Sequence, residues 1–343
     1  FKISNEEIFI RDVLFSKEID KSINFKKLNY NKVIKIISSQ LMIPTFYINL
    51  REKKILDKIP NTLKKYLKFI YEGNYSRNIE ILKEVDRINK LLNKNNIQHV
   101  FLKGSAYLLI ELYKNIGERM IGDIDILVSK KDFEKIKEIL LNYNYSYSVK
   151  QKHYGTRHLP RIYNRKTKIA MEIHGELFNK KYKNILPIEM VFKSSLTLEP
   201  GIKIPNYEVL ARHSVLNFQL NDHGLIRPSL NLKTLYDLLL ISKKYSVNLK
   251  QIANSKYYKS FFIISNYYVK DCYKDKTNLT DKLILSRFLL SKRFYLIFFI
   301  DNLLTKIFVE VPKTPLRLMR FINSKEYRYH VKKKILRINN YWQ

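Results

Sequence analysis

Apolar residues three or four positions apart dominate the chain up to about residue 75, as in the stretch Leu63–Ile70. This spacing predicts amphipathic helices, because it places the apolar side chains on one helix face. A clearer helix is predicted from Asn78 to about Leu92. Its apolar face comprises Ile81, Leu82, Val85, Ile88 and Leu92. The run Asn93–Asn96 is typical of a helix end.

The pattern changes to short apolar and β-branched runs between Ile97 and His174. These runs predict strands, and the stretches Ala106–Lys114 and Asp132–Leu141 predict helices between them. The predicted strands are Ile97–Leu102, Met120–Ser129, Tyr145–Lys152, Leu159–Asn164 and Lys168–His174. Such alternation favours an α+β fold, in which a mixed sheet packs against helices.

After Pro205 the apolar spacing becomes helical again. The predicted helices are Tyr207–Leu220, Leu232–Lys244, Phe261–Tyr273 and Lys282–Ile307. The most apolar window, Phe294–Ile300, is far shorter than the roughly 20 residues of a membrane helix, so we expect a core segment and no membrane span. The predicted organisation is a helical region at 1–77, a core at 78–205, a helical domain at 206–312 and a basic tail at 313–343.

Charge narrows the choice of partners. The 343 residues carry a formal net charge of +33 and only one cysteine. Such an excess favours a polyanionic partner, either nucleic acid or an anionic membrane surface, although codon bias toward lysine would produce it too. In the tail, Lys332–Lys334 and Trp342 combine cations with rings, a composition suited to single-stranded nucleic acid or simply to a solvated terminus. With no readable signal peptide and one cysteine, we expect a cytoplasmic protein.

Two aspartates interrupt the apolar run Ile121–Val128. Because side chains alternate along a strand, Asp123 and Asp125 lie on one face, about 7 Å apart. Burying two like charges costs free energy unless a cation neutralises them. Mg²⁺ binds a few carboxylate oxygens together with water and substrate phosphates. The pair therefore predicts a site for magnesium and a triphosphate, although a lone pair of this kind is also common at strand ends.

Two further features join this pair. Gly104-Ser105 follows a predicted strand, where a glycine lets backbone N–H groups approach a phosphate. Glu172 lies on another apolar strand and is placed to complete the metal shell and assist an attacking hydroxyl. Two metal ions would then stabilise the attacking and leaving oxygens of an in-line displacement. P-loop, HExxH, GxSxG and GxGxxG patterns are absent from the sequence, which argues against the enzyme classes that carry them.

The ordered set resembles the nucleotidyltransferase superfold of DNA polymerase β, and it is most similar to a bacterial family of uncharacterised nucleotidyltransferases. The segments that carry the resemblance are "NNIQHVFLKGSAYLL", "ERMIGDIDILVSKKDFEKIKEILLNYNY" and "AMEIHGEL". It covers about Asn78–Leu177 and continues more weakly through "LARHSVLNFQLNDHG" and "LKTLYDLLLI". Residues before 75 and the last 90 or so lie outside it.

The resemblance implies a role for each matching residue. Asp123, Asp125 and Glu172 would be the catalytic, metal-binding triad for two Mg²⁺ ions. Gly104 and Ser105 would bind the nucleotide phosphates. Beside these motifs, Lys103 and Arg119 either contact phosphates or are solvated surface residues. In the family a histidine follows the acid as His174 does here, either to orient the acceptor or a phosphate, or as a structural residue.

We therefore predict a magnesium-dependent nucleotidyltransferase that moves a nucleoside monophosphate from an NTP or dNTP, ATP among them, to a hydroxyl. The net charge favours an RNA or DNA 3′ end, such as that of tRNA, as the acceptor. Transfer to a protein hydroxyl or a small molecule stays open. So does a protein without catalytic activity, such as an antitoxin-like protein partner or a nucleic-acid-binding regulator.

Overall fold

The structure is a computed structural model, and it describes residues 4–147, 157–227, 229–269, 272, 278–325, 328–329 and 332. The chain divides into two compact units, Phe1–Ser286 and Arg287–Gln343. The first unit contains all seven strands of the described residues and every predicted site residue.

The first unit begins with four helices, α1 (Asn5–Phe15), α2 (Tyr30–Ser39), α3 (Ile43–Glu52) and α4 (Asn61–Lys94). Helix α4 begins 17 residues before the predicted Asn78, and the predicted boundary between residues 77 and 78 falls inside it. Its predicted apolar face is buried except at Leu82, which is half-buried, and three polar side chains, Asn74, Asn78 and Glu84, are buried beside it. These polar groups contact the loops and strands of the sheet. Helix α4 therefore packs against the predicted core although it begins in the predicted N-terminal region.

A five-stranded mixed sheet follows α4. In chain order the elements are β1 (His99–Leu102), α5 (Lys103–Leu109), β2 (Asp123–Val128), α6 (Phe133–Asn142), β3 (Tyr145–Tyr147), β4 (Ile162–Asn164) and β5 (Ala170–His174). The strand order is β1-β2-β5-β4-β3, in which β2 and β5 are parallel and the other pairs antiparallel. All five strands lie within predicted segments, and residues 148–152 of the third prediction lie outside the described residues. The predicted α+β class is confirmed.

The rest of the first unit is mainly helical, as predicted. Its elements are α7 (Ile188–Lys193), the hairpin β6 (Leu196–Leu198) and β7 (Ile202–Ile204), α8 (Tyr207–Leu216), α9 (Leu232–Tyr245), α10 (Leu249–Ala253) and α11 (Lys256–Ser265). A π-helical turn over Asn217–Asn221 continues α8, so the predicted helix to Leu220 is confirmed. Helix α11 begins five residues before the predicted Phe261 and ends at Ser265, so the prediction of a helix is wrong over residues 266–269. Residues 270, 271 and 273 of the prediction lie outside the described residues.

The predicted helix Lys282–Ile307 is two helices, α12 (Leu279–Arg293) and α13 (Tyr295–Glu310), separated at Phe294, whose backbone is extended. The prediction of a core segment at Phe294–Ile300 is wrong, because Tyr295 and Leu296 are 79% and 68% exposed. Hydrophobicity alone does not bury a segment; a partner surface must cover it. The last helix is α14 (Thr314–Asn323). Within the described residues, helices long and apolar enough to cross a membrane are absent.

Candidate active site

The three predicted acids meet because β2 and β5 lie side by side and run in the same direction. Asp125 pairs with Glu172 in the register of this parallel pair, and Asp123 pairs with Ala170. Paired residues on neighbouring strands project to the same face of a sheet. All three carboxylates therefore lie on one face of the sheet. The 46 residues between Asp125 and Glu172 in the sequence form the crossover that contains α6, β3 and β4.

Asp125 is a buried carboxylate held between a cation and an imidazole. The Lys103 ammonium lies 2.5 Å from its Oδ1, and His174 Nε2 lies 2.7 Å from the same atom. Burial by itself would raise the pKa of Asp125, but the Lys103 charge and the His174 hydrogen bond outweigh it and hold the pKa well below its usual range. Asp125 is therefore ionised at neutral pH.

Burial also determines the charge of His174. It lowers the pKa of the imidazole more than the nearby Asp125 and Glu172 carboxylates raise it. The ring is thus neutral at pH 7. It donates its Nε2 proton to Asp125, since an ionised carboxylate only accepts, and a cation bound at Nε2 would take the place of that proton. Through this bond His174 orients Asp125.

Asp123 and Glu172 share a different cation. One guanidinium nitrogen of Arg161, which precedes β4, donates to Asp123 Oδ2 at 2.8 Å and to Glu172 Oε1 at 2.9 Å. Burial, followed by repulsion from Asp125 and Glu172, raises the pKa of Asp123 to about 6. The two aspartates of the pair thus have opposite pKa shifts, a separation typical of functional sites. Nothing in the sequence pattern singled out Arg161.

The set of groups best placed to hold a metal ion differs slightly from the predicted triad. Ligand atoms of Asp125, Glu172 and His174 all lie within 4.8 Å of one another. Two carboxylates with adjacent oxygens suit Mg²⁺ or Mn²⁺, and an imidazole beside them suits Mn²⁺ better than Mg²⁺. Asp123 lies next to this set, bridged to Glu172 by Arg161. The donor set fits a divalent cation, and the participation of Asp123 stays a prediction.

Gly104 and Ser105 lie within the first turn of α5, directly after β1. A Cβ atom at Gly104 would approach an Arg119 guanidinium nitrogen to 2.8 Å and Ile121 Cγ1 to 2.9 Å, so only glycine fits here. Ser105 is completely buried, and its hydroxyl donates to the Leu102 carbonyl at 2.8 Å. Phosphate binding by these two residues stays a prediction.

Arg119 is not a solvated surface residue. It is buried, and its guanidinium makes two hydrogen bonds with Asp237 of α9, at 2.9 and 2.8 Å. Tyr113 also donates to Asp237, and the Tyr107 ring lies 4.8 Å from the guanidinium. The alternative that Arg119 is a solvated surface residue is therefore wrong. The ion pair between Arg119 and Asp237 connects the loop before β2 to α9. Contact of Arg119 with a phosphate stays a prediction.

A pocket of about 180 Å³ opens beside the acids. One wall comes from the sheet side and comprises Lys103, Gly104, Arg119, Ile121, Gly122, Asp123 and Asp125. The other wall comes from α8, α9 and the segment between them, and it includes His213, Ser214, Asn217, Asp222, Lys233 and Thr234. This volume is below the roughly 300 Å³ of pockets that enclose a drug-sized ligand, so a bound nucleoside triphosphate would extend out of it.

Comparison with known proteins agrees with this geometry. Residues 26–256, more than half of the chain, match the family described as "Uncharacterised nucleotidyltransferase". The chain belongs to this nucleotidyltransferase family. No curated protein matches it. The resemblance inferred from the sequence segments is thus confirmed, and so is the prediction of a transferase. The matched range includes the sheet, all the acids and both walls of the pocket.

In this nucleotidyltransferase α4 fixes the loop that delivers Asp123 to the site. Asn74 donates to the Gly117 and Arg119 carbonyls at 2.8 and 3.0 Å, and Asn78 donates to the Ile116 carbonyl at 2.6 Å. Arg77 donates to the Gly122 carbonyl at 2.9 Å. Buried amides that satisfy loop carbonyls hold a loop in one conformation.

The sequence analysis missed most of the second wall of the nucleotidyltransferase pocket. The weaker resemblance over "LARHSVLNFQLNDHG" and "LKTLYDLLLI" marked the segments to which these residues belong, but not their roles. His213 is one example. Burial lowers its pKa to about 3, so it is a neutral wall residue that packs against Phe178. The second example is Lys233, which contributes a positive charge to the pocket wall formed by α9.

Proposed function

We propose that this nucleotidyltransferase transfers a nucleoside monophosphate from an NTP or dNTP to a hydroxyl with the help of Mg²⁺. The proposal rests on one observation, the close group of Asp125, Glu172 and His174 ligand atoms on adjacent parallel strands. Asp125 is kept ionised by Lys103 and His174, which is the state that binds a cation. The bound ions would neutralise the developing phosphate charge.

The reaction forms one bond and breaks another at the α-phosphorus. The acceptor hydroxyl oxygen bonds to this phosphorus, and the bond between it and the oxygen that leads to the β-phosphorus breaks, releasing pyrophosphate. The hydroxyl proton passes to Glu172 and then to solvent. Lys103 keeps Asp125 oriented throughout, so the chain's main contribution is positioning and electrostatic stabilisation.

The acceptor proposed is the 3′ hydroxyl of a nucleic acid, with single-stranded RNA first. Support comes from the net charge of +33, which would attract a polyanion. An uncharged acceptor would gain nothing from this field. Transfer to proteins or small molecules is the alternative with which the following test compares it.

The test is transfer of label from each α-labelled NTP and dNTP to total RNA, DNA, total protein or no acceptor, with Mg²⁺ or with EDTA. Asp125→Asn and Glu172→Gln should each lower transfer at least about 1,000-fold, because each removes a charge that binds the cation. The control Glu138→Gln changes an exposed acid on α6 and should leave the rate unchanged. Circular dichroism checks that the variants fold.

Three results would contradict the proposal. Transfer by both site variants at the wild-type rate would show that the reaction does not need the two carboxylates. Transfer that persists in EDTA would show that it does not need a divalent cation. Binding of RNA without metal-dependent nucleotide binding would indicate a regulator that lacks catalytic activity. Label on protein instead of RNA would keep the chemistry and change the acceptor.

A further inference from the structure

Lys233 lies in a fixed position on the wall of the pocket that faces the acids. It is the second residue of α9, whose N-cap Asn231 accepts a hydrogen bond from the Thr234 N–H at 2.9 Å. One turn later Asp237 makes two hydrogen bonds with Arg119. Because α9 is held at both points, the backbone of Lys233 has a fixed position on the pocket wall.

The acids near Lys233 do not satisfy its ammonium. Asp237 is taken by Arg119 and Tyr113, and Asp123 by Arg161. Among the described residues, none accepts a hydrogen bond from Lys233. The Lys233 side chain is half-buried and lines the pocket, so an ammonium without an acceptor there is available to an anion that enters the pocket.

The electrostatic surroundings agree with an incomplete site. Burial, followed by repulsion from Arg119, lowers the pKa of Lys233 to about 8, although Asp237, Asp222 and Asp123 attract its charge. A half-buried cation gains from an anion that brings its own hydrogen-bond acceptors. The oxygens of a polyphosphate fit that description, and Lys233 lines the same pocket as Asp123 and Asp125.

We propose that Lys233 binds the β- and γ-phosphates of the nucleoside triphosphate. The inference rests on the proposed function, because the α-phosphorus must lie at Asp125 and Glu172 for transfer to occur. The two terminal phosphates then extend across the pocket toward α9. Lys233 is thus a binding residue for the part of the substrate that leaves as pyrophosphate, and it selects triphosphates over monophosphates.

The experiment measures binding of inorganic tripolyphosphate, and separately of adenosine, by calorimetry with Mg²⁺ present. Lys233→Met should weaken tripolyphosphate binding about 10- to 100-fold, the loss expected for hydrogen bonds between charged groups, and leave adenosine binding unchanged. Lys233→Arg keeps the charge and should keep most of the affinity. The matched control is Lys243→Met, an exposed lysine on the same helix, which should bind as the wild type does.

Two further measurements separate a binding role from a structural one. Mn²⁺ affinity, followed by electron paramagnetic resonance, should change less than about twofold in Lys233→Met, because the acids are intact. The melting temperature of this variant should not fall, since the half-buried ammonium that it loses has no acceptor among the described residues. A large loss of Mn²⁺ binding or of stability would instead show that Lys233 supports the fold of the acids.

The outcomes distinguish this inference from the proposed function. If Lys233→Met and wild type bind tripolyphosphate equally, or if Lys243→Met loses as much, the inference is overturned even where transfer is observed. If tripolyphosphate binding depends on Lys233 but no acceptor is labelled, Lys233 is a polyphosphate-binding residue and the proposed reaction is wrong.

Discussion

A single guanidinium holds two of the three acids of this site. Arg161 is half-exposed, and it donates to Asp123 and Glu172 from the edge of the site. A divalent cation that binds these oxygens must compete with it. The neighbouring acid, Asp125, is held by Lys103 and His174 instead. At the residue scale, each of the three carboxylates therefore has a positively charged side chain of the protein as a partner.

Removing the Arg161 side chain should strengthen metal binding. In Arg161→Ala the two carboxylates lose a competing cation, and we expect Mn²⁺ affinity to rise roughly 2- to 10-fold, the range expected for exposed ion pairs. Electron paramagnetic resonance of free Mn²⁺ measures it. Arg165→Ala, an exposed arginine on the same hairpin, is the control and should have no effect. Weaker Mn²⁺ binding in Arg161→Ala would show that the guanidinium supports the site.

Glu118, next to Arg119, gives a prediction on pH. Burial raises the pKa of Glu118 to about 7 from an ordinary value of 4.5, although the Tyr236 hydroxyl donates to it at 3.1 Å. The folded state therefore binds a proton that the unfolded state releases between about pH 4.5 and pH 7. The free energy of unfolding should fall as pH rises through this window.

Glu118→Gln should abolish that fall, because glutamine does not ionise and still accepts from Tyr236. We expect the variant to be more stable than wild type by about 2–3 kcal/mol at pH 8, with the difference shrinking toward pH 5. Urea unfolding at the two pH values measures it, with Glu138→Gln as the control. An equal difference at both pH values would contradict the assigned titration.

At the scale of elements, polar contacts connect the sheet to helices on both of its sequence flanks. On one flank, Asn74 and Asn78 of α4 hold the loop before β2. On the other, Arg119 of that loop pairs with Asp237 of α9. Both walls of the pocket therefore depend on one loop, and the geometry of the site depends on how these elements pack.

Arg119→Met should destabilise the protein by about 3–5 kcal/mol, because it leaves Asp237 buried without a partner charge. The double variant Arg119→Met/Asp237→Leu removes both charges and should recover much of the loss. Urea unfolding of the wild type, both single variants and the double variant forms the cycle. If the single variant unfolds like the wild type, the pair contributes nothing to joining the loop and α9.

At the scale of the whole molecule, charge is the dominant property. Lysine and arginine number 64, against 31 acids. Much of this excess lies on exposed side chains, where it acts at long range and is screened by salt. The neutral adenine and ribose of a nucleotide do not respond to that field, whereas an RNA strand does.

Binding of a labelled single-stranded RNA should therefore weaken roughly tenfold or more between 50 and 200 mM salt, since counterions are released from each neutralised phosphate. Fluorescence anisotropy measures it. Adenosine binding is the internal control and should change little over the same range. Absence of RNA binding at 50 mM salt would show that the charge excess reflects composition alone.

The sequence determined the local features of this protein. Period-two and period-four spacing fixed which segments became strands and helices, because burial selects one face of each element. The Asp123-x-Asp125 spacing placed both acids on one face, and the apolar setting of Glu172 marked a third strand. The family could also be inferred from these segments. All of these follow from residues close together in the chain.

Only the tertiary structure decided which groups meet. The parallel register of β2 and β5 brought His174 into the candidate metal-binding set, and the position of Arg161 just before β4 placed its guanidinium at the acids. Packing of α9 on the loop before β2 buried Arg119 and placed Lys233 in the pocket. These contacts join residues distant in the chain, and no local periodicity encodes them, because they depend on strand order and helix packing.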